Sequence, residues 1–501
     1  MIAPRPRRIQ WCGSTPRRAS GRLWHDPWVV TRETDRSRWL ALIVCCSAMF
    51  MTLLDVSVTN VALPSIGDDT GAGSSQLQWI VSGYTLAFGL VPVLGGKLGD
   101  DHGRRLMFQI GVGGFVVTSA LSGFAPTAGF LIGARVLQGL FGGLINPQTS
   151  GLVQQMFHGA DRGRAFGVLG TTVGLGTAIG PLVGGALIAL GGPTLGWRLV
   201  FFVNIPVGLV VIALSRGLLP PPSETTHHRL DVFGAALLGG ATFCVLFACV
   251  EYDALRDARL MWLAVPAVAL LALFLRRERQ LTLESRDPLV DMRLFRRPSY
   301  VSGITLALTF FPAIAGLPLV LALFYQRGLG YTALESALGV TAYAVGSAVS
   351  APLSGRVVTR LGRRLVVAGA ITFGIGAIAM AAVAGHIHHG NATLALASPL
   401  FVMGCGQGML ITPNQTLALM DVDPLMGSAA GGVLQTGQRI GLAIGQAVIG
   451  AVFFHSLTGD SVASYSRALA HAVLAAICFV SVAIVIGLLD LQASRRRGAR
   501  I

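Results

Sequence analysis

Gly167-Val-Leu-Gly-Thr-Thr-Val-Gly-Leu-Gly176-Thr-Ala-Ile-Gly180-Pro181-Leu-Val-Gly184-Gly185-Ala-Leu187 is the stretch that decides the fold. About 20 apolar residues suffice for a helix to cross a bilayer, and this run has the length. It is also full of glycine. Gly176, Gly180 and Gly184 fall four apart, so they line one smooth groove into which another helix can press its backbone. Pro181 has no N–H and leaves the carbonyl of Thr177 without its helical partner. In lipid such a defect persists only where protein or a water-lined cavity covers it, so the helix belongs inside a bundle.

The same stretch returns as Gly432-Val-Leu-Gln435-Thr-Gly-Gln438-Arg439-Ile-Gly441-Leu-Ala-Ile-Gly445-Gln446-Ala-Val-Ile-Gly-Ala-Val452, with Gln446 where the first copy has Pro181. Gly143-Leu-Ile-Asn-Pro147 pairs with Met409-Leu-Ile-Thr-Pro413, and Gly96-x-Leu98 … Gly103-Arg104-Arg105 pairs with Gly355-x-Val357 … Gly362-Arg363-Arg364. Three pairs in one order mean two halves built to one plan. In membranes that plan most often belongs to a secondary transporter.

Composition points the same way. Hydrophobic residues make up 53% and charged residues 12%, about half the charge of a soluble domain. The net charge of +15 is almost all arginine, with Lys97 the only lysine. These charges sit at the ends of apolar runs, which reads as cytoplasmic anchoring and not as a nucleic-acid surface. Residues 1–38 read as a basic cytoplasmic tail without the apolar core of a secretory signal.

Apolar spans are expected at 39–63, 77–98, 106–125, 128–152, 163–190 and 198–215, forming a first six-helix bundle over 39–215. The linker 216–298 carries two more, 231–252 and 259–275. Six further spans near 299–325, 333–355, 365–385, 392–416, 428–453 and 468–490 form a second bundle over 299–490, before a basic tail at 491–501. The expected fold is thus all-α and integral to the membrane, with 14 transmembrane helices. Positive charge gathers on alternate loops, at Lys97 to Arg105, Arg162 and Arg164, Arg276 to Arg297, Arg356 to Arg364 and Arg495 to Arg497. That pattern places both termini in the cytoplasm.

Ionisable groups within spans are costly and face the bundle interior, so they are functional candidates. Asp55 lies about 24 Å into the first span at helical rise. It alone among the acids is deep in a span with no arginine near it in sequence. A desolvated carboxylate has a raised pKa and can exchange a proton. Arg135 with Gln138 in the fourth span, and Arg439 with Gln435 and Gln438 in the thirteenth, are the other deep polar groups. The seven cysteines read as apolar packing residues, and His386, His388 and His389 read as a solvated loop; no metal site is expected. There is no Gly-x4-Gly-Lys-Ser/Thr phosphate loop, so no nucleotide or other cofactor is expected and an ion gradient is the expected energy source.

These residues carry a family resemblance. Gly96-Lys-Leu-Gly-Asp100-Asp-His-Gly103-Arg104-Arg105 resembles the loop between spans 2 and 3 of the major facilitator superfamily. Leu131 … Arg135-Val-Leu-Gln138-Gly139 resembles its span-4 motif, and Gly176 … Gly180-Pro181-Leu-Val-Gly184-Gly185 the span-5 motif of its antiporters. Leu54-Asp55-Val-Ser-Val-Thr-Asn60-Val-Ala-Leu-Pro64 and Trp197-Arg198 … Phe202-Val-Asn204-Ile-Pro206-Val-Gly208 are similar to the fourteen-span drug:proton antiporter branch, as is Tyr325-Gln326 … Leu329-Gly330-Tyr331.

The resemblance implies two six-helix bundles plus two extra central helices, around a cavity exposed to each side in turn. It implies proton coupling through Asp55 and Arg135, and a gating loop of Gly96, Asp100, Gly103, Arg104 and Arg105. Asn60, Gln138, Gln435, Gln438 and Arg439 are the expected cavity residues. The implied protein is a monomeric exporter of lipophilic small molecules such as antibiotics in a bacterial cytoplasmic membrane, with protons as the co-substrate. Alternatives are a proton-coupled metabolite or siderophore carrier and a membrane-embedded enzyme or receptor, although no His, Cys, Ser or acid cluster has catalytic spacing. Two departures stand out. Thr359 occupies the place of Asp100 in the second loop, so that loop is not expected to make the same salt bridge. Acids within spans are scarce apart from Asp55, which argues against a strongly cationic substrate.

Overall fold

Apolar runs in a bilayer must satisfy their own backbone N–H and C=O groups, and in this chain they do so as helices. The computed structural model describes residues 35–221, 231–255, 258–284, 286–384, 392–459 and 461–498. The first half comprises α1 (Asp35–Thr70), α2 (Ser74–Leu90), α3 (Pro92–His102), α4 (Arg104–Gly123), α5 (Ala128–Met156), α6 (Gly159–Phe202) and α7 (Asn204–Leu218). A hairpin of α8 (Val232–Leu255) and α9 (Ala264–Leu283) follows. The second half comprises α10 (Pro298–Ala315), α11 (Leu317–Leu323), α12 (Ala333–Gly339), α13 (Thr341–Leu361), α14 (Arg363–Ala384), α15 (Ala392–Ala418), α16 (Gly427–Ser456) and α17 (Val462–Gly498). Most of the expected N-terminal tail, and His386, His388 and His389, lie outside the described residues.

Eleven helices are long and apolar enough to cross a membrane, or thirteen if each of two bent pairs counts once. The difference from fourteen has a local cause. α13 has the length, 21 residues, but its Ser, Thr, Gly and Arg content keeps it from being apolar enough. It can carry these polar residues because α6 and α15 cover the face of Ser347, Ser350 and Ser354, while Val345, Val349 and Leu353 make the outward face apolar. The bent pairs also follow from sequence. The α2–α3 pair bends by 46° just ahead of Pro92, and α6 bends by 40° between Gly176 and Ile179, one turn ahead of Pro181. Proline at these points removes a ladder hydrogen bond and lets the helix kink. α6 runs on past the expected end of its span at residue 190, broken at Gly192, whose φ of 69° suits glycine alone.

One apolar core, around Phe108, Phe115 and Phe157, continues from the first half into Tyr300, Phe311 and Leu434 of the second; another, around Phe310, Phe373 and Phe453, lies within the second half. The duplicated glycine helices take equivalent places. α6 packs on α1, and a Cβ at Gly176, Gly180 or Gly184 would run into Leu53, Ser57 or Val58. α16 packs on α10, where Gly441 and Gly445 both meet Pro312. Gly185 faces open space and takes no part in the groove. Across the halves, α6 meets α13 and α3 meets α16. The α8–α9 hairpin leans on α2 and α16, one helix from each half, and so bridges them.

Arg38 at the start of α1 donates to the carbonyl of Met156 at the end of α5, and Arg363 pairs with Asp490 near the end of α17 at 2.8 Å. The start of α1 and the end of α17 therefore lie on the face that carries the Gly103 and Gly362 loops. Each of these loops turns on a glycine at positive φ, 98° and 53°, a conformation that disfavours any side chain. Asp231 precedes α8 on the same face and forks onto Arg277 of α9, with both contacts at 2.8 Å. Hydrogen bonding to that guanidinium holds the Asp231 carboxyl below the usual carboxylate range. A lowered folded pKa means that this latch is complete at neutral pH and is lost only as pH falls through that value.

Candidate functional site: a buried ion pair, a loop contact between the halves and a polar cavity

Asp55 comes from the middle of α1 and is only 1% exposed. It forms a salt bridge with Arg135 of α5, which is equally buried. Its second carboxylate oxygen accepts from Gln138 Nε2 at 3.0 Å and from Asn204 Nδ2 at 2.9 Å. Ser119 of α4 accepts from both of those amides, at 2.6 and 3.1 Å. Arg135 also donates to Gln138 Oε1 at 2.7 Å, and its guanidinium lies 4.2 Å above the Tyr84 ring. Four helices thus converge on one carboxylate. The acid with no arginine near it in sequence is paired in space with an arginine from another helix, the residue that the family resemblance couples to it. A buried pair survives only where the remaining lone pairs and protons are also satisfied, and here they nearly are. The exception is Asn204 Oδ1, which has no partner among the described residues.

Helical spacing gives α1 two opposed faces. Leu53 and Ser57 lie on one side, against the α6 glycines, and Asp55, between them in sequence, points the other way. Any change at the Asp55 pair therefore bears on the helix that α6 grips.

The second constellation joins the end of α3 to the start of α16 on the face that carries the Gly103 loop. Asp100, at the end of α3, pairs with Arg104 at 2.8 Å. It also accepts from the backbone N–H groups of Ser428 and Ala429, at 3.2 and 2.8 Å, in the first turn of α16. A helix N-terminus carries unsatisfied donors and partial positive charge, so a carboxylate belongs there. Arg104 holds the carbonyl of Gly151 at 2.8 Å and that of Pro424. Gly96 lets the backbones of α3 and α16 touch, since a Cβ would strike Ser428. Arg105 ties the loop to the end of α7 through the carbonyls of Arg216 and Leu219. In the second half, Arg363 takes its acid from α17 within its own half, so the threonine at 359 leaves no counterpart to the Asp100 latch.

Asp100→Asn is expected to shift the closed–open equilibrium toward opening by roughly ten- to a hundredfold, because hydrogen bonds to charged groups are worth about 1.5–3 kcal/mol. Turnover should slow. Spin-label distances between α3 and α16 report the equilibrium, and an unchanged distance distribution would refute the latch.

Between the halves lies a cavity of about 320 Å³. Met49, Leu53, Phe311 and Leu442 supply apolar wall, and Asn146, Gln407, Gln415, Gln435, Gln438 and Arg439 supply polar groups. Of the expected cavity residues, Gln435, Gln438 and Arg439 are present. Gln138 is absent because the Asp55 cluster holds it, and Asn60 is exposed on α1, away from the cavity wall. Asn146 was missed in sequence, as were Asn204 and Ser119 in the carboxylate cluster. A signal for Asn146 existed: Asn146 and Thr412 hold the same place in the duplicated Gly143–Pro147 and Met409–Pro413 segments, and both line the cavity. The Trp197-Arg198 pair plays a structural part, since both residues bind Asp69 near the end of α1, at 3.0 and 3.2 Å.

A family model described as Major Facilitator Superfamily matches residues 45–446 and again 306–498. The chain belongs to the major facilitator superfamily. This facilitator is 37% identical over 433 residues to the "Probable actinorhodin transporter" of Streptomyces coelicolor, covering 85% of the chain and 74% of that protein. It is 31% identical to the tetracenomycin C resistance and export protein of Streptomyces glaucescens, with coverages of 84% and 77%. The multidrug resistance protein Stp of Mycobacterium tuberculosis is also 31% identical, with coverages of 83% and 76%. Among solved structures, the facilitator resembles the human organic anion transporter MFSD10 (TM-score 0.63, 12% identity, 88% and 99% covered). It also resembles the proton:xylose symporter XylE (TM-score 0.62, 14% identity, 89% and 95% covered). At such identities these two speak for the fold alone. The facilitator is a multi-pass membrane transporter whose relatives are named for antibiotic and multidrug export.

Proposed function

We propose that this chain is a proton-coupled exporter of lipophilic small molecules, working by alternating access as a monomer with fourteen spans. α13 and the two bent pairs complete that count. The observation that carries the reading is the fully buried Asp55–Arg135 pair, set on a helix whose neighbouring residues Met49 and Leu53 wall the cavity. Protonation of Asp55 removes the attraction to Arg135 and loosens α1 from α5; deprotonation restores it. Because α1 is gripped on its far side by the glycines of α6, that change reaches α13 across the interface, where Gly163 and Gly355 meet.

The face closed by Asp100 is the cytoplasmic one, for it bears the arginine-rich loops and both termini, as the charge rule for bacterial membranes requires. The cavity is then released outward while the proton enters. The proton gradient supplies the energy and no bound cofactor takes part.

The test is accumulation of a fluorescent lipophilic drug in cells expressing the chain, with and without an uncoupler. Lower accumulation that rises to control level on uncoupling is expected. Efflux that persists in uncoupled cells would show that another energy source drives it.

A further inference from the structure

We infer that the cavity selects lipophilic anions, with Arg439 as the residue that binds the substrate's carboxylate or phenolate. This rests on the export reading only for the role of the cavity. Every other arginine described above at a helix contact has an acid or a carbonyl to meet: Arg135 has Asp55, Arg104 has Asp100, Arg363 has Asp490 and Arg198 has Asp69. Arg439 makes no hydrogen bond or ion pair among the described residues. Its guanidinium lies 4.2 Å above the ring of Phe88, a contact that stabilises a cation but leaves its N–H donors unused.

Its position sharpens the point. Arg439 is twelve residues into α16, about 18 Å along the helix and so near the centre of a bilayer. It lines the cavity, and no aspartate or glutamate does. Asp55, the acid deep in α1, is fully engaged by Arg135, Gln138 and Asn204.

Further polar groups on the same wall are also unmet. Asn146 Oδ1, Thr412 Oγ1 and Gln435 Oε1 have no partner among the described residues, although their residues are at most 8% exposed. A half-buried guanidinium with free donors, flanked by amides and hydroxyls and faced by apolar side chains, is complementary to one chemistry. That chemistry is a planar or branched apolar body bearing a single acid group, which an arginine fork can hold through two parallel hydrogen bonds. A cationic substrate would face uncompensated repulsion in a site of low dielectric.

The experiment measures equilibrium binding to the purified full chain, without a gradient, by titration calorimetry. Three probes share the anthraquinone body and carry an anionic, a neutral or a cationic substituent: anthraquinone-2-carboxylate, its methyl ester and 2-(aminomethyl)anthraquinone. The wild type should bind the carboxylate at least about tenfold more tightly than the ester, and the amine least well. Arg439→Gln should bring the carboxylate to the affinity of the ester while changing the ester less than about threefold. Arg439→Lys, which keeps the charge without the fork, should retain part of the preference; it also serves if the glutamine variant fails to fold.

The inference is overturned if the carboxylate binds no better than the ester, if the preference survives in Arg439→Gln, or if no probe binds the wild type. Charge-selective binding without gradient-driven export would count against the export reading alone. Export with no charge selectivity would count against this one alone.

Discussion

Asp55→Asn is expected to abolish uphill, pH-driven export. The substitution keeps the shape of the side chain and an oxygen for Gln138 and Asn204, but removes the charge that Arg135 faces. It therefore does two things at once. It prevents the protonation change, and it strands a buried guanidinium, which costs about 3–5 kcal/mol when a buried pair loses one partner. The two effects separate in the double variant Asp55→Asn/Arg135→Gln, where no charge is left unmatched. If Asp55 carries the coupling proton, the double variant should regain much of the lost thermal stability yet still fail to concentrate substrate against a pH gradient in vesicles. Substrate exchange without a gradient should continue, because the cavity wall does not include Asp55. Gradient-driven accumulation by the double variant would mean that the proton rides elsewhere.

Gly180→Leu should eliminate transport while leaving membrane insertion intact. Even a single Cβ at this position runs into Ser57 of α1, and a leucine adds three further carbons. Insertion depends on the hydropathy of the span, which rises with leucine. Packing depends on backbone approach, which leucine forbids. The wedge would push α1 away from α6 on the side opposite Asp55, breaking the mechanical link between the ion pair and the interface with α13. Gly185→Leu supplies the control, since Gly185 faces open space; it should transport at near wild-type rate. Equal membrane levels of both variants with equal transport would show that the α1–α6 contact carries nothing.

Much of this was legible in the chain itself. The duplicated glycine helices, the two Gly-Arg-Arg loops and the paired Pro147 and Pro413 segments gave two halves and their order, because a glycine face and a proline kink are properties of local spacing. The arginine-rich loops gave the topology expected for both termini, and depth within a span picked out Asp55, Arg135 and Arg439.

What sequence could not supply were the partners. Nothing in the spacing says that Arg135 reaches Asp55, that Asn204 and Ser119 complete the cluster, or that Asp490 serves Arg363. These residues lie far apart in the chain and meet only because helices from different places cross. Charge compensation is a tertiary matter. It makes Asp55 half of an ion pair and leaves Arg439, of the same apparent kind in sequence, facing a cavity without an acid. The polarity of α13 has the same origin: its serines are tolerable because α6 and α15 cover them, while Val345, Val349 and Leu353 face outward.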